Sequence, residues 1–248
     1  MKQLTAGIII IGNEILSGRT KETNSNFIAK ELIKIGVKLI KISVIPDEKK
    51  EIIKNVICFH KKFDYVFTTG GIGPTHDDIT SESVAKAFKK KYRVNAKALK
   101  ILKDYYPVGK INSGRIKMAK LPVSSELILN PLTGAPGFKL KNVYVLPGVP
   151  IIMKKMFKSL LKNLKKNKPK KIITINTNLF ESIIAQPLTK IQKKYSDCEI
   201  GSYPYFNFSK KKGGVNITIS SWKRDDLSII SNEIIKNISL LGGKSFIV

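Results

Sequence analysis

Short apolar runs alternate with longer amphipathic stretches through the first two-thirds of the chain. Residues 7–11 read as a strand, residues 26–35 as a helix ended by Gly36, and residues 37–45 as a second strand. Pro46-Asp47 reads as a helix start, the helix running to about Lys61. A third strand begins at Tyr65 (Tyr65-Val66-Phe67), and a further helical pattern spans residues 84–88. This β-α-β-α-β order predicts a parallel-rich sheet covered by helices on both faces. Residues 142–146 form another apolar run, and the turn Pro147-Gly148-Val149-Pro150 opens a helix over 151–164.

A lysine-rich hinge follows, with Lys162, Lys165, Lys166, Lys168, Lys170 and Lys171 around Pro169. Like charges and a proline mark a boundary, so the expected domains are 1–168 and 169–248. Beyond it come a strand at 172–177, a helix at 181–195, strands at 199–205 and 215–220 across a Lys/Gly turn, a helix at 227–241 and a strand at 244–248. That order, β-α-β-β-α-β, predicts a small α+β ferredoxin-like domain.

The 248 residues are 42% hydrophobic, a globular composition long enough for one large or two modest domains. The formal charge of +27 invites a nucleic-acid reading. Only Arg19, Arg93, Arg115 and Arg224 of the 45 basic residues are arginines, however, and the lysines are spread along the whole chain. Base and phosphate readers lean on arginine's planar fork, so no specific nucleic-acid partner is expected. Cys58 and Cys198 have neither metal-ligand spacing nor a CxxC partner and read as reduced thiols of a cytoplasmic protein. No segment approaches the length of a membrane span, so no membrane partner is expected.

The chemistry concentrates in Thr68-Thr69-Gly70-Gly71-Ile72-Gly73-Pro74-Thr75-His76-Asp77-Asp78-Ile79-Thr80. Glycines let bare N–H groups approach a ligand closely, as a phosphate requires. Two carboxylates beside a phosphate would repel it unless a divalent cation lay between them. Asp77 and Asp78 are therefore the candidate metal ligands and, with Glu14, the candidate catalytic acids. Gly70, Gly71 and Gly73 are expected to bring backbone to the ligand, and Thr69 and Thr75 to donate hydroxyls to phosphate oxygens. Asn24 is expected as a ribose or phosphate donor, with capping as the competing explanation. His76 is a candidate metal ligand or proton shuttle, and Lys117 a candidate phosphate contact among many solvated lysines. Tyr203, Tyr205 and Phe206 offer stacking faces for an adenine or flavin ring, although aromatics on a half-buried strand are ordinarily core.

Taken with this loop, four segments resemble the molybdopterin-binding-like superfamily that includes MoaB, Mog and the CinA proteins. They are Gly12-Asn13-Glu14-Ile15-Leu16-Ser17-Gly18 with Thr23-Asn24; Lys117-Met118-Ala119 with Pro122; Asn130-Pro131 with Gly134-Ala135-Pro136-Gly137-Phe138; and Leu146-Pro147-Gly148-Val149-Pro150 with Met153. Gly201-Ser202-Tyr203-Pro204 resembles the small KH-like domain that follows the amino-terminal region of CinA. Residues 43–48, the Gly71–Asp78 loop and Asn142-Val143-Tyr144 are similar to the corresponding half of eukaryotic FAD synthase.

The resemblance implies a three-layer, mostly parallel MoaB/Mog-like sheet followed by a KH-like α+β domain. It implies metal-dependent cleavage of a nucleotide pyrophosphate, ADP-ribose or FAD, with Co²⁺, Mn²⁺ or Mg²⁺ and release of AMP. Self-association into a homo-oligomer is also expected. The alternatives are a protein that binds a pterin or nucleotide without turnover, and a molybdenum-cofactor adenylyltransferase. Mog-type adenylyltransferases carry Arg-Asp where this chain has Asp77-Asp78, which counts against the last. The resemblance covers neither a CinA amidase domain nor the nucleotidyl-transferring half of FAD synthase, so neither activity is expected.

Overall fold

A computed structural model describes residues 2–207 and 212–248. The chain divides into two compact units, Met1–Asn167 and Lys168–Val248. The first contains, in order, β1 (Leu4–Ile11), the single-turn α1 (Asn13–Leu16), α2 (Asn24–Lys34), β2 (Val37–Ile45), α3 (Lys49–Lys62), β3 (Tyr65–Thr69) and α4 (Thr80–Ala87). There follow β4 (Tyr92–Val94), α5 (Ala96–Tyr105), α6 (Ser113–Met118), β5 (Lys120–Pro122), β6 (Glu126–Ile128), β7 (Gly137–Leu140), β8 (Val143–Leu146) and α7 (Pro150–Leu161).

Six of these strands form one sheet in the order β2-β1-β3-β8-β7-β6. β2, β1, β3 and β8 are mutually parallel, while β7 runs antiparallel to β8 and β6 antiparallel to β7. The sheet is thus mostly parallel, as the strand–helix alternation predicts. Period-two alternation splits the isoleucine run of β1 between two cores. Ile8 and Ile10 join Phe67, α2 residues Ile28 and Leu32, and α7 residues Met153, Met156 and Phe157. Ile9 and Ile11 join Val66 and the α3 residues Ile52, Val56 and Phe59 on the opposite face. Each such side chain, fully buried, contributes about 1.5–3 kcal/mol, which is why a chain so positively charged still closes into three layers.

Several elements lie where the hydrophobic pattern assigns none, between Phe88 and Asn142. β4, β5 and β6 have three residues each, too few to show an alternation, and β4 pairs with β5. α5 and α6 start on Asn95 and Asn112, whose side chains accept from the N–H groups of Ala98 and Arg115.

The second unit contains β9 (Lys171–Thr177), α8 (Glu181–Lys194), β10 (Glu199–Asn207), β11 (Lys212–Ser221), α9 (Ser228–Leu240) and β12 (Ser245–Ile247). Its sheet is antiparallel throughout, in the order β10-β11-β9-β12. β-α-β-β-α-β with the first strand between the third and fourth is the split ferredoxin-like arrangement. Residues 208–211 of the expected Lys/Gly turn lie outside the described residues. Tyr203, Tyr205 and Phe206 on β10 are exposed, so the default expectation of core packing fails for them. β10 is an edge strand of this sheet. No helix among the described residues is long and apolar enough to cross a membrane.

Candidate functional site

Parallel strands bring their carboxyl ends to one edge, and the crevice forms where the chain changes direction across the sheet. Here the chain runs from β1 to β2 on one side, then returns to place β3 on the other. The glycine loop leaves β3 at this switch point, α1 leaves β1 beside it, and the Pro147–Pro150 turn leaves β8. They enclose a cleft of about 420 Å³ lined by Glu14, Thr20, Asp47, Gly70, Gly71, Gly73, Asp77, Asp78 and the 147–150 turn. Glu14, Gly70, Gly71, Gly73, Asp77 and Asp78, all expected from the sequence, therefore share one cleft.

The loop is shaped by its own packing. Gly70 and Gly71 have φ of 105° and 66°, a region that side-chain-bearing residues rarely adopt. A Cβ on Gly71 would lie 2.2 Å from the Thr80 hydroxyl, and Thr80 N–H donates to the Gly71 carbonyl at 2.9 Å. Glycine is required at both positions by the fold of the loop, whatever it binds. Thr75 donates its N–H to Asp78 Oδ2 at 2.9 Å, and its hydroxyl donates to the same oxygen. That hydroxyl is thereby turned inward, and Thr75 is not among the cleft-lining residues. Lys117 donates its ammonium to the Thr75 carbonyl, so it braces the loop from α6. His76 is exposed and outside the cleft lining.

Asp47 is the residue the pattern misplaces. α3 begins at Lys49 with Glu48 as its N-cap, so Asp47 does not start the helix. It turns instead to the cleft and accepts the Asn13 N–H at 2.8 Å. Its position two residues after the end of β2, at the same sheet edge as Glu14, was the available signal. Burial raises the Asp47 carboxyl above the ordinary range; the Asn13 hydrogen bond opposes this, and the charges of Glu14, Asp77 and Asp78 add to it.

Four carboxylates thus face one cleft of a chain with formal charge +27. Nearby, α4 and α7 begin on Ile79 and Val149 without a side-chain cap, while the Ser25 N–H in the first turn of α2 is held by the Glu22 carboxylate at 2.9 Å. Open N–H groups at helix starts favour anions, whereas the carboxylates favour a cation. Carboxylate oxygens are hard donors of the kind a divalent ion takes. No group of three His, Cys, Asp or Glu side chains among the described residues is assembled as a ready coordination shell.

A raised carboxyl binds more protons in the folded than in the unfolded state, so stability falls as pH climbs from the unfolded value, about 3.9, through the folded one. Asp47→Asn keeps an acceptor for the Asn13 N–H and removes the repulsion. At pH 7 without divalent ions it is expected to melt about 2 °C above the wild type, with the gain disappearing in acid. Equal melting temperatures at pH 7 would show that the four charges do not repel across the cleft.

A mostly parallel three-layer sheet with an acid-and-glycine cleft at its switch point defines the class. The chain belongs to the family described as the probable molybdopterin binding domain, which it matches over residues 7–166. Residues 171–240 match the FAD synthase middle domain. The chain is 34% identical over 226 residues to a probable FAD synthase of Caenorhabditis elegans, covering 81% of this chain and 44% of that protein. It is 32% identical to a CinA-like protein of Thermosipho melanesiensis, covering 96% of this chain and 64% of that one. The crystal structure of the protein CinA, of unknown function, from Thermoplasma acidophilum superposes with a TM-score of 0.61 at 37% identity. That likeness covers 64% of this chain and 96% of the solved one. The chain therefore spans less than two thirds of the length of both named relatives.

Proposed function

We propose that the first unit is a metal-dependent nucleotide pyrophosphatase that cleaves ADP-ribose or FAD and releases AMP. The observation that carries this reading is the placement of Glu14, Asp47, Asp77 and Asp78 against a glycine loop and the uncapped start of α7 in one cleft. A pyrophosphate needs its anionic oxygens held and its charge neutralised while water adds across the P–O–P bridge. The products are AMP and ribose 5-phosphate from ADP-ribose, or AMP and FMN from FAD.

Asp77 and Asp78 would hold the divalent ion, with Asp47 adding charge beside them. When bound, the ion supplies charge neutralisation at the bridging and terminal oxygens. Backbone N–H groups of the glycine loop and the start of α7 would orient the phosphates. Glu14, which lines the cleft from α1, would orient the attacking water and take its proton.

The test is incubation of pure protein with ADP-ribose and with FAD in Co²⁺, Mn²⁺ or Mg²⁺. AMP is the expected product, and its absence under every combination would sink the reading. A protein that binds the nucleotide or a pterin without turnover is the second reading. It is favoured by the engagement of Asp78 with Thr75, which is how a carboxylate that only closes its own turn behaves. Thermal stabilisation by ligand with no product would establish it.

A further inference from the structure

A recess of about 50 Å³ adjoins the cleft and shares Ile11, Glu14, Thr20, Gly148 and Pro150 with its walls. Its inner wall includes Asn24 and Thr69, which are 6% and 1% exposed. Thr69 follows Phe67 by two positions on β3 and so shares the sheet face on which α2, beginning at Asn24, packs. Asn24 donates its amide Nδ2 to the Gly148 carbonyl at 2.7 Å, which fixes the orientation of the amide. Its Oδ1 has no hydrogen-bond partner, and neither has Thr69 Oγ1.

Buried polar atoms left unpaired are costly, so their chemistry identifies what belongs beside them. Asn24 Oδ1 accepts only, whereas the Thr69 hydroxyl accepts and donates. An ionised phosphate oxygen cannot donate to Asn24, and the amide donor that would serve it is engaged by Gly148. A hydroxyl satisfies both atoms, giving its proton to Asn24 and receiving one from Thr69. The volume admits a hydroxyl and its carbon, not a base.

We propose that this recess is a sugar-hydroxyl subsite: Asn24 and Thr69 bind a ribose hydroxyl of the nucleotide whose pyrophosphate lies in the cleft. The subsite rests on the nucleotide reading above and changes two sequence expectations: Asn24 serves as acceptor for a ribose hydroxyl rather than as a ribose or phosphate donor, and Thr69 gives its proton to that hydroxyl rather than to a phosphate oxygen. It also explains why two unsatisfied polar groups persist at the floor of the cleft.

Thr69→Val is the test, because valine is nearly isosteric, suits a strand and removes only the hydroxyl. Affinities are measured calorimetrically with Mg²⁺ for ADP-ribose, ADP and inorganic pyrophosphate, on wild type, Thr69→Val and Thr69→Ser. We expect Thr69→Val to weaken ADP-ribose about tenfold, to leave pyrophosphate unchanged and not to lower the melting temperature of the free protein. Thr69→Ser should restore affinity. A tenfold loss that persists with ADP places the adenylate ribose in the recess; a loss confined to ADP-ribose places the distal ribose there. Unchanged ADP-ribose affinity in Thr69→Val, or an equal loss for pyrophosphate, overturns the subsite and leaves a water-filled recess. Wild-type protein that fails to bind ADP-ribose overturns the nucleotide reading itself, a separate result.

Discussion

Asp78→Asn is expected to lower AMP release by about two to three orders of magnitude while leaving the fold intact. The structural role of the side chain survives the change. Asp78 Oδ2 accepts the Thr75 N–H and hydroxyl, and an amide oxygen in the same place accepts both. Melting should therefore shift by little, as for other surface substitutions of similar shape. What disappears is one of the four negative charges facing the cleft. If that charge helps hold a divalent ion, apparent metal affinity falls and excess Mn²⁺ or Mg²⁺ recovers part of the rate. If the carboxylate only closes the turn, turnover stays within about threefold of wild type, because Asn is nearly as good a cap as Asp. Undiminished AMP release at low metal concentration would remove Asp78 from the ion.

The strands that build the site were legible because each is a dense run of Ile, Val or Phe set off by turn residues. Residues 7–11, 37–45 and 142–146 lie within or almost coincide with β1, β2 and β8. What escaped has a physical reason in each case. A three-residue strand such as β6 shows no period and is defined by its partner across the sheet. The Pro46-Asp47 pair carries the local signature of a helix start, yet the chain needs two more residues to turn off β2, and Asp47 is left facing the cleft. The glycine loop was visible as a ligand-binding grammar. Which of its polar groups remain available was not, because that depends on tertiary partners. The Thr75 hydroxyl goes to Asp78 and the Asn24 amide to Gly148, while Thr69 is left unpaired. Residue type proposes a donor, and packing decides whether it is free.

Gly70→Ala should be the most damaging single-methyl change in the first unit. Gly70 stands where β3 ends between β1 and β8, its N–H donating to the Leu146 carbonyl at 3.2 Å. Its φ of 105° is strained for any residue with a Cβ, and the added carbon would lie 2.1 Å from the Ile11 carbonyl oxygen. That neighbour is backbone at the end of the buried strand β1, so it cannot swing aside as a side chain would. Either the carboxyl ends of β1 and β3 separate or the loop takes another path. Combined backbone strain and overpacking are expected to cost about 3 kcal/mol, or roughly 6–12 °C in melting temperature at this size. AMP release should fall with it, because the cleft floor moves. Gly73→Ala is the control. Its Cβ would come within 2.6 Å of Asp78 Oδ2, a side-chain atom that can yield by giving up its bonds to Thr75. Stability should hold there while activity drops. A Gly70→Ala protein melting within about 2 °C of wild type would mean that the loop has room the geometry denies it.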